Sequence, residues 1–201
     1  MQYMPLFVNM KDKAVLFVGG GKVALRKARQ FSEAGAQIKV IAPEINEDLK
    51  ELANMCCEIR KAVPEDISDN YFAVIFASSD KETNEKLSKI CKNKRIIVDR
   101  CDDHSKSDFI TGSIATSGSI INTTVSGGIP ALSRFINKEI EKLFTPELKK
   151  LNELLAELRP SILSSKKIDS AYMNSLVCKE TLQRIKEEGI DLLKQEILAC
   201  L

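Results

Sequence analysis

The stretch AVLFVGGGKVALRKA, from Ala14 to Ala28, decides the fold. Ala14 to Val18 form a short unbroken apolar run, as expected of a strand buried on both faces. Three glycines follow, and Lys22 to Glu33 then carry apolar residues at helical spacing, with Val23, Ala24, Ala28 and Phe31 on one face. Gly19, Gly21 and Ala24 fit G-x-G-x-x-A between a strand and a helix. In that setting Gly19 permits the tight turn, Gly21 lets a pyrophosphate approach the backbone, and Ala24 lets the helix lie close to the strand. The helix N-terminus adds amide donors and a partial positive charge. The simpler alternative is a turn whose glycines serve geometry alone. The context favours a dinucleotide site built on Gly19, Gly20, Gly21, Lys22 and Val23.

Outward from this unit the pattern repeats. Gly35 stops the helix, and Ile38 to Pro43 read as a second strand. Glu47 to Asn54 look helical, and Phe72 to Ala77 form a third buried strand. Asn84 to Lys92 give a helix with Leu87, Ile90 and Cys91 inward, and Arg95 to Asp99 a further strand. Apolar strands alternating with helices predict an α/β fold, a Rossmann-type doubly wound parallel sheet covered on both faces.

The composition changes after Asp108. Asp108 to Gly127 are rich in Ser, Thr, Gly and Ile and predict two or three short strands. A helix from Ala131 to Phe144 follows. Thr145, Pro146 and Glu147 make a good helix start, and Leu148, Leu151, Leu154, Leu155 and Leu158 mark an apolar stripe that Pro160 is expected to break. Helices over Asp169–Cys178 and Lys179–Leu201 complete an all-helical last third.

In such folds the second strand usually ends in an acid that holds the adenosine ribose. Here it ends Ala42-Pro43-Glu44, so Glu44, with Pro43 beside it, is the nearest candidate; a solvated loop carboxylate is the alternative. No cluster of Arg or Lys stands there for a 2′-phosphate, which favours NAD over NADP. Ser78 and Ser79 follow the third strand, where the nicotinamide end of the crevice lies; Ser79 or Asp80 can also cap the next helix. Asp99 ends its strand on the side where open α/β sheets place ligands, although on the residues alone a turn aspartate is the simpler reading.

The 201 residues suit one large domain, or one domain with a smaller attachment. A net charge of +2, no Trp and three Tyr give no case for nucleic acid. The start lacks the basic segment and apolar run of an export signal, and no apolar stretch approaches a membrane span, so a cytoplasmic protein is expected. Cys56, Cys57, Cys91, Cys101, Cys178 and Cys200 show neither a CxxC pair nor a Cys/His zinc spacing, so reduced thiols and no metal site are expected.

The residues resemble the precorrin-2 dehydrogenases, the sirohaem synthase N-terminal family. The resemblance rests on Pro5-Leu6, Gly19 to Ala24, Arg26-Lys27, Val40 to Pro43, ASSDKETN (Ala77 to Asn84), IIVD ending at Asp99, Phe109-Ile110, and SGGIPALSR (Ser126 to Arg134). It implies NAD-dependent oxidation of precorrin-2 to sirohydrochlorin in sirohaem biosynthesis, with Asp99 catalytic. A carboxylate at the crevice mouth could accept a proton or orient a pyrrole N–H. The substrate is a polyacid, and Arg100, Ser126, Gly127 and Arg134 are the expected contacts, with Lys106 and Lys138 as further basic candidates; solvated surface charge is the simpler reading of any single one of the basic residues.

The resemblance also implies a homodimer whose segment after the Rossmann domain exchanges between protomers. The expected domains are 1–111 for NAD, 112–144 for dimerisation and 145–201 as a helical domain. Two features depart from the family pattern: Ile129 stands before Pro130 where the family usually has a serine, and the loop Arg100 to Asp108 is long. His104, the one histidine, and Cys101 read as loop residues rather than catalysts. A second enzymatic reading adds insertion of Fe2+, as a substrate, into sirohydrochlorin. A non-catalytic NAD-sensing module is the reading from another class.

Overall fold

Residues 4–54, 56–117, 120–124, 129–165 and 170–201 are described by the structure, a computed structural model. The chain divides into two units, 1–111 and 112–201.

In the first unit, β1 (Ala14–Val18) leads through the glycines into α1 (Lys22–Glu33). Then come β2 (Gln37–Ala42), α2 (Glu47–Leu52), β3 (Cys57–Ile59), β4 (Ala73–Phe76), α3 (Lys81–Asn93) and β5 (Ile97–Arg100). The sheet order is β3-β2-β1-β4-β5, and every pair is parallel. This is the doubly wound sheet that the sequence predicts, with the order reversing at β1, between β2 and β4.

Alternate residues of each central strand feed two cores. Val15, Phe17, Val40 and Ile75 pack with Ala24, Ala28 and Phe31 of α1 and Leu49 of α2. Leu16, Val18, Val74, Phe76 and Val98 pack on the other face with Leu87 and Cys91 of α3. Each fully buried side chain of this kind stabilises the fold by about 1.5–3 kcal/mol.

The inner face of α1 differs from the expected stripe. Its buried residues are Ala24, Lys27, Ala28 and Phe31, whereas Val23 is 43% exposed. β3 is an edge strand of three residues, too short to show an alternation in the sequence. β5 starts later than expected because Arg95, at φ 59°, lies in the left-handed region just past α3.

In the second unit, β6 (Ser113–Ser117) pairs antiparallel with β7 (Ile120–Thr124). The hairpin packs on α4 (Pro130–Glu141), where the Thr124 hydroxyl donates to Asn137 Oδ1 at 2.6 Å. α5 (Pro146–Ser165), α6 (Ser170–Leu176), α7 (Lys179–Glu188) and α8 (Ile190–Cys200) follow. Their core is Leu151, Leu154, Leu158 and Ile162 of α5 against Leu176, Ile185, Leu193 and Ile197.

Two expectations are corrected here. Pro160 does not end α5, which continues to Ser165. The proline lies on the exposed face, and Ile162 extends the buried stripe beyond it, so packing offsets the lost backbone hydrogen bond. Lys179–Leu201 is two helices, because Gly189 at φ 88° separates them. Among the described residues no helix is long and apolar enough to cross a membrane.

Candidate functional site

The glycine turn sits at the carboxyl end of β1, hemmed in by its neighbours. A Cβ on Gly19 (φ 121°) would fall 2.5 Å from the Ala77 carbonyl carbon, just past β4. One on Gly20 would fall 2.2 Å from the Glu44 carbonyl oxygen, just past β2. The Gly20 carbonyl also accepts the Asn46 N–H at 2.9 Å. The structure therefore brings Gly19, Gly20, Pro43-Glu44 and Ala77-Ser78 together at the ends of three adjacent strands.

Gly21 is different. A Cβ there would meet nothing within 4 Å, and the residue has an ordinary extended backbone, φ −87°. No contact within the fold requires glycine at this position. The N-terminus of α1 has no side-chain cap hydrogen bond and no acidic residue in its first turn. Its free amides and bare approach fit a pyrophosphate. Lys22 and Val23, both exposed, flank the approach.

Ser78 is held in place. Its hydroxyl accepts the Asp80 N–H at 3.0 Å, and its carbonyl accepts Asn84 Nδ2 at 2.9 Å. Asp80, rather than the exposed Ser79, caps α3: its carboxylate takes the Thr83 N–H at 3.0 Å and the Thr83 hydroxyl at 2.9 Å. Asn84 is a residue the sequence reading missed; its Oδ1 is buried with no partner.

The pleat sends Asp99 and Arg100 of β5 to opposite faces of the sheet. Asp99, opposite Ile75 of β4, turns to the α1 face and is fully buried. It is thus closed off from solvent, rather than standing at the crevice mouth. Its Oδ2 lies 2.6 Å from Lys27 Nζ of α1, which also donates to the Thr111 hydroxyl at 2.7 Å. Asp99 Oδ1 is buried with no hydrogen-bond partner. Sequence reasoning did not single out Lys27 as a partner of Asp99, yet a signal was present: a lysine inside the stripe Ala24-Lys27-Ala28-Phe31.

Arg100, expected among the substrate contacts, lies on the opposite face from Asp99. Its guanidinium is 2% exposed and faces α3, where Nε and Nη2 donate to Asp102 at 2.8 and 2.9 Å. Nη1 donates to Glu85 at 3.1 Å and to Ser88 at 2.9 Å. Hydrogen bonding from Arg100 holds the Asp102 carboxyl at about 2. Bonds from Lys106 and then Arg100 hold Glu85 at about 2. Lys106 is thereby engaged within the same clasp, which borders an open cleft of about 370 Å³.

Burial first, then the Asp99 charge, pushes the Cys101 thiol up to about 11. This disfavours thiolate chemistry there. His104 opens a 3₁₀ turn, His104–Lys106, on the exposed loop. In the second unit Arg134 and Lys138 are exposed on α4. Ser126 and Gly127 lie outside the described residues. Among the described residues no three His, Cys, Asp or Glu side chains gather as a metal site.

A family model described as "Putative NAD(P)-binding" (NAD_binding_7) matches residues 6–113. The chain belongs to the NAD_binding_7 family. Its first unit is accordingly an NAD-binding domain. The chain resembles sirohaem synthases in sequence. "Siroheme synthase" of Tolumonas auensis is 36% identical over 163 residues, covering 81% of this chain and 35% of that protein. "Siroheme synthase 2" of Aeromonas hydrophila is 30% identical over 213 residues, covering 98% of this chain and 45% of that one. The chain thus spans less than half the length of these relatives. In fold it resembles "SirC, precorrin-2 dehydrogenase", with a TM-score of 0.75, 20% identity, and coverage of 96% of this chain and 100% of that one.

Proposed function

We propose that this NAD_binding_7 protein is an NAD-dependent precorrin-2 dehydrogenase that yields sirohydrochlorin. The observation that carries the reading is Asp99, buried against Lys27 of the dinucleotide-binding helix with one carboxylate oxygen unused. Lys27 lies five residues beyond the first residue of α1, about 7.5 Å along its axis. One helix therefore serves the cofactor at its N-terminus and the carboxylate on its inner face.

The oxidation removes two hydrogens. NAD, when bound, accepts one as a hydride with its electron pair. The other leaves as a proton, for which Asp99 Oδ1 is the acceptor; before that it can orient a pyrrole N–H. Gly19 to Val23 hold the pyrophosphate through backbone amides. Glu44 and Pro43 border the adenosine ribose, and Ser78 and Ser79 the nicotinamide end. The absence of a cationic cluster beside Glu44 supports NAD rather than NADP.

Arg134, with Ser126 and Gly127, is proposed to meet the acidic substrate. Arg100 is proposed to act by fixing the loop after β5. Exposed Ile114 and Ile121 of the hairpin, with Leu132, Phe135 and Ile136 of α4, support a homodimer built on residues 112–144. The six thiols are free in the structure, which suits a reducing cytoplasm.

Anaerobic incubation with precorrin-2 and NAD tests the reading. NADH and sirohydrochlorin should grow together above the spontaneous rate and fail to do so with Asp99→Asn. NAD binding without turnover would overturn it, and iron insertion into sirohydrochlorin would then be measured.

A further inference from the structure

We infer that Lys27 is a positioning residue: it occupies Asp99 Oδ2 so that Oδ1 alone is left to accept the substrate's hydrogen. The inference rests on the dehydrogenase reading and adds a residue to it.

An ammonium offers three donors and a carboxylate about four acceptor sites. Here two donors are spent on Asp99 Oδ2 and the Thr111 hydroxyl, at 2.6 and 2.7 Å. Thr111 takes a second donor of the ammonium and so helps hold the lysine beside Oδ2. Oδ1 is left dry and without a donor. Leaving such an acceptor unpaired is costly, and proteins normally satisfy it. The cost is offset if a substrate N–H completes the set. Lys27 also supplies the positive charge that lets a carboxylate exist in a place closed to water. Lys27 itself touches no reacting atom; it acts through Asp99.

The test uses the full chain, with wild type, Lys27→Met and Lys27→Arg, assayed anaerobically with precorrin-2 and NAD. NAD binding by calorimetry reports on the fold and the glycine turn. For Lys27→Met, NAD affinity should stay near wild type while kcat falls by at least about a hundredfold, with KM for precorrin-2 little changed. A loss in kcat without a matching change in KM or in NAD affinity is a split that a merely structural loss would not give. Lys27→Arg retains the charge but has a planar fork, so it should bind NAD normally and lose about tenfold in kcat. That variant carries the test if Lys27→Met does not fold. An active wild type together with a folded Lys27→Met or Lys27→Arg of wild-type kcat would overturn the inference and leave the dehydrogenase standing. An inactive wild type would overturn the dehydrogenase reading and the inference with it.

Discussion

Lys27 and Asp99, 72 residues apart in the chain, form a buried ion pair with 2.6 Å between Nζ and Oδ2. Desolvating both charges costs about as much as their attraction returns, so a well-packed apolar pair would serve stability as well or better. Removing one partner is another matter, since it leaves the other charge buried and alone. Lys27→Met should therefore cost about 3–5 kcal/mol in urea unfolding, and Lys27→Met with Asp99→Leu should recover most of it. If the double variant is no more stable than the single one, the pair is held for its packing and not for its charge.

The Arg100–Asp102 pair predicts acid sensitivity. Asp102 has a folded pKa of about 2 against an ordinary 3.8, because Arg100 donates to it. The folded state then binds fewer protons than the unfolded one across that range. The resulting stability is present above pH 4 and is lost as pH falls from about 4 to 2. The shift corresponds to about 2 kcal/mol, and the Asp102 side chain is 10% exposed, so solvent screening is modest. Asp102→Asn should lower the urea midpoint at pH 7 and converge on wild type near pH 2. A constant gap at both pH values would contradict this assignment.

The doubly wound sheet was legible because its signals are local. AVLFV, QIKVIA and AVIF are apolar runs between turns, and the glycine motif marks where the order reverses. β3 was not legible, because three edge residues paired on one side carry no pattern. The place of the glycine turn, between β1 and α1, was legible as well. Which face of the sheet Asp99 or Arg100 takes depends on where β5 begins, and the left-handed Arg95 sets that start. The partner of Asp99 comes from tertiary packing, although a lysine in an apolar helical stripe is a sign that something buried needs a cation. Pro160 shows the converse: a local breaker was overridden by the burial of Ile162.

The cysteines divide by environment. Burial pushes Cys91 up to about 12 and Cys101 up to about 11, while Cys56 and Cys200 are exposed. At pH 8 iodoacetamide should label Cys56 and Cys200 first and Cys91 and Cys101 at least about a hundredfold more slowly, all becoming comparable in denaturant. Peptide mapping over time reads this out. Early labelling of Cys101 would mean that the buried region around Cys101 admits water and a small reagent.

The three consecutive glycines should separate fold from binding. An alanine at Gly20 places its Cβ 2.2 Å from the Glu44 carbonyl oxygen, so the β2–α2 connection must shift. Gly20→Ala should thus lower stability by about 1–3 kcal/mol, with NAD affinity falling as a consequence. At Gly21 the same methyl meets nothing within 4 Å and needs no unusual backbone angle. Gly21→Ala should cost less than about 1 kcal/mol in stability. Its methyl group would stand where the pyrophosphate approaches the amides of α1, so NAD affinity should fall by at least about tenfold. Thermal unfolding and calorimetric NAD titration of the two variants give both quantities. Wild-type NAD affinity in a folded Gly21→Ala would place the pyrophosphate elsewhere and leave the glycine without a function in the fold or the site.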